Sequence, residues 1–195
     1  SLQQRCWNEW NATTREHHVD VVSIDQARVV TGWLSRCGRQ DFDIIEVGCG
    51  AGWSCEDLKQ CGNVTGTDLP NEVLARAQQR LPDVHFIAGD FFALDLATEA
   101  FDVAITLEVL SHVHDQPTFV TKIAQLLRPG GYLMMATQNR PVLQRYNRIP
   151  PPKLGQLRRW VDKKQLRSLL AAEFDVVEIF SVTPKANKGL LRILH

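Results

Sequence analysis

The sequence predicts an α/β fold, a doubly wound parallel sheet covered by helices on both faces. Three observations point there. Short apolar runs alternate with longer amphipathic segments from residue 42 onward, the pattern of strand–helix units whose strands are buried on both sides. The first run, Phe42–Val47, empties directly into Gly48-Cys49-Gly50-Ala51-Gly52, a glycine-bounded end that suits a buried parallel strand. The connections between runs are mostly short, as in compact α/β units.

Each element can be justified in chain order. Residues 3–17 are polar, with Trp7 and Trp10 placed three apart, which sets both rings on one helical face. Residues 20–37 carry Val22, Ala27, Val29, Val30, Trp33 and Leu34 and read as an amphipathic helix ending near Gly38. Residues 1–38 thus form a helical cap ahead of the first strand. After Phe42–Val47, Trp53–Cys61 suits a helix. Val64–Thr67 is a second strand closed by Asp68, and Asn71–Leu81 is a helix stopped by Pro82. Val84–Ala88 is a third strand followed by Gly89-Asp90, and Phe101–Leu107 is a fourth. Gln116–Leu127 is a helix, Arg128-Pro129-Gly130-Gly131 a turn, and Tyr132–Thr137 a fifth strand. Asp162–Ala172 is a helix, Phe174–Val182 a sixth strand and Leu190–Leu194 a seventh, so the return from Val182 is an antiparallel hairpin. Residues 138–161 break the pattern. With three prolines from Pro150 to Pro152, they read as an irregular, lid-like insertion.

Composition narrows the function classes. The 195 residues fit one domain with a sizeable core, and two would be cramped. Apolar residues make up 44% and charged residues 23%, as in ordinary globular proteins. Formal net charge is zero, so no global field favours nucleic acid or a membrane surface. No apolar run approaches the roughly 20 residues a bilayer span needs, and the first residues do not read as a signal peptide. The five cysteines, Cys6, Cys37, Cys49, Cys55 and Cys61, are odd in number and form no CxxC pair. That argues against a disulfide framework and a zinc site and for reduced thiols in a cytoplasm. Sequons occur at Asn11 and Asn63, but the second opens a buried strand where no glycan fits, and both are discounted.

The chemistry concentrates at Ile45-Glu46-Val47-Gly48-Cys49-Gly50-Ala51-Gly52. Glycine there permits a tight turn and lets a ligand lie against the backbone. Asp68 falls twenty residues past Gly48 at the end of the next strand, where a carboxylate can take both hydroxyls of a ribose. A dinucleotide enzyme needs G-x-G-x-x-G for its pyrophosphate. This chain has G-x-G-x-G, with Trp53 in place of the third dinucleotide glycine. Glu46 would repel a phosphate and would suit an ammonium group.

With these residues in view, the chain resembles the class I S-adenosylmethionine-dependent methyltransferases, close to the branch typified by ubiquinone- and menaquinone-biosynthesis enzymes. The matching stretches are IIEVGCGAGW, VTGTDLP, VHFIAGDFFALDL, FDVAITLEVLSHVHD and LLRPGGYLMMAT, in the family's order and spacing over about residues 42–137. The resemblance implies a Rossmann-like sheet of order 3-2-1-4-5-7-6 with strand 7 antiparallel. It implies S-adenosylmethionine as cofactor and S-adenosylhomocysteine as product. By the same resemblance, Glu46 and the backbone of Gly48, Cys49 and Gly50, in the loop closed by Gly52, hold the methionine part. Asp68 holds the ribose and Leu69 packs on the adenine. Asp90 takes the adenine amino group and the Phe91 amide the ring nitrogen. Leu107, Glu108 and Val109 lie beside the sulfonium. Asp68 and Asp90 also suit helix caps, and Leu69 and Phe91 also suit a core.

Methyl transfer needs alignment more than a catalytic constellation, but a hydroxyl acceptor gains from a base. His112 and His114 are the candidates, since they follow the fourth strand on the ligand-binding side of such sheets. Some relatives carry E-x-x-E-H here and hold a divalent metal. This chain reads Glu108-Val109-Leu110-Ser111-His112, so Ser111 removes one hard ligand and no metal is expected. Trp7, Trp10 and Arg15 belong to a segment that either closes over the cofactor or anchors itself to the core. The stretch 138–167 is locally basic and is either a receiving surface for an anionic acceptor or a solvated face. The function expected is methyl transfer to an oxygen of a small metabolite, with nitrogen the second choice. A nicotinamide-dependent oxidoreductase and a non-catalytic cofactor-binding module are the rivals. No N/D-P-P-Y/F motif for base methylation is present, and no nucleic-acid partner is expected.

Overall fold

Five parallel strands form one sheet in the order β3-β2-β1-β4-β5 in the computed structural model, which describes residues 1–146 and 150–182. The strands are β1 (Phe42–Val47), β2 (Gly62–Asp68), β3 (His85–Ala88), β4 (Phe101–Leu107) and β5 (Leu127–Ala136). Around them lie α1 (Leu2–Trp10), a π-helical turn (Asn11–Arg15), α2 (Val21–Arg36), α3 (Trp53–Leu58), α4 (Asn71–Arg80), α5 (Gln116–Leu126), α6 (Arg140–Tyr146) and α7 (Lys163–Leu170).

The alternation of side chains along β1 and β4 supplies both layers of the core. Ile44, Val103 and Ile105 pack with Val30 and Leu34 of α2, Leu58 of α3 and Leu74 of α4. Ile45, Val47 and Ala104 pack with Phe119, Ile123 and Leu126 of α5. A sheet buried on both faces explains why these strands read as continuous apolar runs. At α1, α2, α5 and α7 the helix starts where a side chain replaces a missing backbone partner. Asp20 accepts from the Ser23 amide at 2.9 Å, and Asp115 accepts from the Thr118 amide at 3.1 Å. Asp162 and Gln165 form a capping box at α7.

Two sequence expectations change. Phe174–Val182 forms no strand. Its alternation is real, but a strand requires a neighbour's hydrogen-bond ladder. Among the described residues this segment has none, and Val177 and Phe180 are left exposed. The expected strand Leu190–Leu194, and with it the hairpin, lies outside the described residues. The turn expected at Arg128–Gly131 is a bulge inside β5. Pairing jumps from Phe101 opposite Leu127 to Val103 opposite Tyr132.

The described residues of the excursion, 138–146 and 150–161, include regular structure. Asn139 bridges Val161 in parallel, and α6 rises between them. Further along, the Arg159 amide donates to the Ser111 carbonyl at 2.7 Å. Gly155 lies against Leu2 of α1. Among the described residues, no helix is long and apolar enough to cross a membrane.

Candidate active site

The carboxyl ends of β1, β2 and β4 converge, and the loops leaving them build the site. Gly48 and Cys49 both donate their amides to the Thr67 carbonyl, at 2.7 and 3.0 Å. This ties the glycine loop to the end of β2, where Asp68 stands. Asp68 Oδ2 accepts from the Gly50 amide at 2.6 Å and Oδ1 from the Leu69 amide at 2.6 Å. The carboxylate is thereby fixed in orientation, and each oxygen keeps a lone pair for a further donor. Burial pushes the Asp68 carboxyl above its usual range, and the two amides pull it back.

Glycine is required at two points of this loop. Gly48 has φ +79°, and a Cβ there would land inside the Val109 side chain. Gly50 has φ +55°, and a Cβ would stand 3.2 Å from Asn11 Oδ1. Gly52 turns the chain into α3, and Ala51 accepts a hydrogen bond from Arg80.

Glu46 lies beneath the loop rather than on its surface, at 2% exposure. Its carboxylate accepts from the Ser54 hydroxyl and, at 3.1 Å, from the Cys55 thiol. Burial pushes its pKa up to about 7, opposed by those two donors and raised further by Asp68. Cys49 is buried beside it, and burial raises its thiol to about 11, so it is a packing thiol.

The end of β4 makes the opposite wall. Leu107 is half-buried and packs on the core beneath. Glu108 takes a left-handed backbone, φ +64°, uncommon for a non-glycine residue. Its amide donates to Ala136 at 2.8 Å. Its carboxylate accepts from Gln26 Nε2 of α2 at 2.6 Å and from the Gln138 side chain. Burial raises its pKa as well. Val109 fills the space left by Gly48, and its carbonyl accepts from the His112 amide at 2.8 Å.

The two histidines separate. His112 is half-buried in a short 3-10 turn, and its Nδ1 lies 2.7 Å from the Leu157 carbonyl. A carbonyl cannot donate, so Nδ1 carries the proton and Nε2 keeps its lone pair. Burial lowers the His112 pKa, and Arg158 lowers it further, while the Leu157 carbonyl opposes them. The Trp7 ring stacks edge-on against it at 4.7 Å. His114 is exposed, and its carbonyl accepts from Arg159 at 2.7 Å. Ser111 is buried, its hydroxyl without a partner. Among the described residues no cluster of three or more metal-ligating side chains occurs.

At the far side, Asp90 is exposed and accepts from the Phe92 amide at 3.1 Å while its carbonyl accepts from Ala93 and Leu94. It organises the turn after β3. Phe91 packs on Phe119 at 5.3 Å with Lys122 over its ring. Leu69 is half-buried, and its carbonyl accepts from Gln4 of α1 at 3.2 Å.

The amino-terminal segment closes over all these parts. Gln3 donates to the His112 carbonyl at 3.1 Å, Trp53 donates to the Arg15 carbonyl at 2.6 Å, and Glu16 pairs with Arg76 of α4. Sequence reasoning placed Trp7 and Arg15 here but missed Asn11, Gln26, Gln138 and the Leu157 carbonyl.

The chemistry around the loop suits an adenosyl sulfonium. Glu46, Asp68 and Glu108 are carboxylates, and the buried oxygens Asn11 Oδ1, Gln26 Oε1 and Gln138 Oε1 lack donors. An acceptor-rich surround matches hydroxyls, an ammonium and a sulfonium, and it disfavours a pyrophosphate.

Comparison with known proteins agrees. The family model described as a methyltransferase domain matches residues 45–135. The chain is 38% identical over 152 residues to a ubiquinone biosynthesis O-methyltransferase of Mesorhizobium japonicum, covering 72% of this chain and 61% of that protein. It is 32% identical over 189 residues to an O-methyltransferase of Penicillium expansum, covering 89% and 66%. Among solved structures, it is similar to the Burkholderia thailandensis 1,6-didemethyltoxoflavin-N1-methyltransferase with bound S-adenosylhomocysteine. There the TM-score is 0.65 at 25% identity, over 88% of this chain and 76% of that one. The chain spans less than two thirds of the length of the curated relatives it matches, with 59% of a ubiquinone biosynthesis O-methyltransferase of Aromatoleum aromaticum and 40% of a probable methyltransferase of Mycolicibacterium smegmatis as further cases.

Proposed function

Residues 45–135 form a class I S-adenosylmethionine-dependent methyltransferase domain of the kind found in ubiquinone-biosynthesis O-methyltransferases, and from that premise we propose that this protein methylates an oxygen of a small molecule, with His112 as the base. The observation that carries the proposal is the Nδ1–Leu157 hydrogen bond at 2.7 Å.

The cofactor supplies an activated methyl group on sulfur, and the residues described do the rest. Asp68 and the glycine loop hold the adenosyl and methionine parts, with Glu46 and Glu108 facing the positive charge from below and beside. Leu69 and Phe91 flank the adenine, and Asp90 meets its edge. The Leu157 carbonyl locks the imidazole so that Nε2 can take the acceptor hydroxyl's proton as the oxygen attacks. Burial favours the neutral imidazole of His112, which is the form a base needs. His114, exposed, has no part in this step. No metal ion is assigned a role.

The cap formed by residues 1–38 and the excursion 138–161 act together as a lid. Trp7 comes from one and Leu157 from the other, and both meet at His112. An acceptor carrying negative charge suits this mouth, because Arg158 already biases His112 electrostatically. Of the other basic residues in the stretch 138–167, Arg140 pairs with Asp162 at 2.6 Å, and Arg159 donates to the His114 carbonyl. A cytoplasmic setting goes with five free thiols.

The test is His112→Ala and His112→Gln in a methylation assay across a panel of phenolic and hydroxyl acceptors. The expected result is a rate lowered by roughly 10²–10⁴-fold with S-adenosylhomocysteine affinity nearly unchanged. Rates equal to wild type across pH 6–9 would remove His112 as the base.

A further inference from the structure

The best-buried polar side chain above the glycine loop has no assigned role. Asn11 is 3% exposed, and its Oδ1 has no hydrogen-bond partner. Leaving such an oxygen unpaired is costly, so its placement calls for a donor. The amide's orientation is fixed, because Nδ2 donates to the Trp7 carbonyl at 2.9 Å. That aims Oδ1 at the Gly50 backbone, where a Cβ would come within 3.2 Å of it. Gly50 in turn gives its amide to Asp68. The unpaired oxygen therefore sits on the ligand-facing side of the loop.

The backbone around Asn11 is unusual in a way that produces this placement. Asn11 opens the π-helical turn, and its carbonyl accepts from the Glu16 amide at 3.0 Å, five residues on. Such turns are rare and recur at functional sites. Its carboxyl end is clamped, by Trp53 on the Arg15 carbonyl and by Arg76 on Glu16, while Nδ2 of Asn11 ties its first residue back to Trp7.

We infer that Asn11 is a cofactor-recognition residue whose side-chain carbonyl accepts a hydrogen bond from the α-ammonium of S-adenosylmethionine. Asp68 already presents two oxygens to the ribose. The ammonium brings three donors, and the Glu46 carboxylate beneath the loop, which already accepts from Ser54 and Cys55, reaches it from one side only. An acceptor from above completes the set, and it comes only with the amino-terminal segment in place. Binding of the methionine end and seating of the lid are then one event. The inference rests on the cofactor assignment above.

The experiment is calorimetric titration with S-adenosylhomocysteine and with its deaminated counterpart, which lacks only the α-amino group. Wild-type protein should prefer the amino ligand. Asn11→Ala should lose at least about tenfold in affinity for that ligand and little for the deaminated one, so the preference collapses. Equal losses for both ligands would mean Asn11 only supports the fold or faces the ribose, and would overturn the inference. If the alanine variant does not fold, Asn11→Asp tests it instead, since added charge at the acceptor should raise the preference, and an unraised preference refutes it. Failure of both ligands to bind wild type would instead remove the cofactor assignment itself.

Discussion

Replacing Glu46 by Gln tests whether the loop is built around a buried acid. Glu46 is 2% exposed, and its pKa is pushed up to about 7 from an ordinary 4.5, chiefly by burial. A carboxyl whose folded-state pKa is raised holds its proton longer in the native state than in the unfolded chain. Native stability is therefore lost as pH rises from 4.5 to about 7, and no more is lost above that. At about 1.4 kcal/mol per pH unit, the loss between pH 5 and pH 8 is about 3 kcal/mol. Glutamine keeps the shape and the acceptor for Ser54 but does not ionise. Urea unfolding of the ligand-free proteins at pH 5, 6, 7 and 8 should show the variant gaining on wild type by about 3 kcal/mol over that range, with the whole gain accrued by about pH 7. His112 works in the opposite sense, since its lowered pKa makes stability rise with pH. That contribution is common to both proteins and cancels in the difference. Parallel stability curves would refute the reasoning, because they would mean Glu46 is ionised throughout and meets a cation.

Two further substitutions probe the loop. Asp68→Ala removes an acceptor from two backbone amides and from the ribose, and S-adenosylhomocysteine affinity should fall by about 100-fold; unchanged affinity by calorimetry would take Asp68 out of the site. Gly48→Ala meets Val109 at a positive φ and should destabilise by about 2 kcal/mol or more. Pairing it with Val109→Ala should recover part of that in thermal unfolding, and no recovery would mean backbone strain alone is responsible.

The fold was readable to the extent that hydrophobic periodicity is a local signal. Phe42–Val47 and Phe101–Leu107 are the observed bounds of β1 and β4, because both are central strands buried on two faces. Val64–Thr67 falls short of β2 because Gly62, Asn63 and Asp68 at its ends are not apolar, yet the ladder to β1 runs through Gly62 and Asn63 and the ladder to β3 through Asp68. Phe174–Val182 has the alternation of a strand without a partner among the described residues, and periodicity alone cannot report a partner. For the candidate site, the structure brings together the side chains and glycines that the sequence singles out at the ends of β1 and β2, Glu46, Asp68 and the Gly48–Gly52 loop. The site was unreadable where the backbone acts. Leu157 matters through its carbonyl, and no side-chain pattern encodes that. Asn11 looked like a discounted sequon, because the π turn that aims it arises from contacts with α3 and α4.

These contacts also bind the two halves of the site through one residue. Val109 occupies the space that Gly48 leaves open, and its carbonyl takes the His112 amide. The same imidazole is held from above by Leu157 and flanked by Trp7. A single residue, Val109, therefore separates the glycine loop from the imidazole of His112. A close-packed interior has few ways to absorb a shift in either neighbour. In this geometry the glycine loop and His112 share one partner, a β-branched valine that is stiff about its first side-chain torsion.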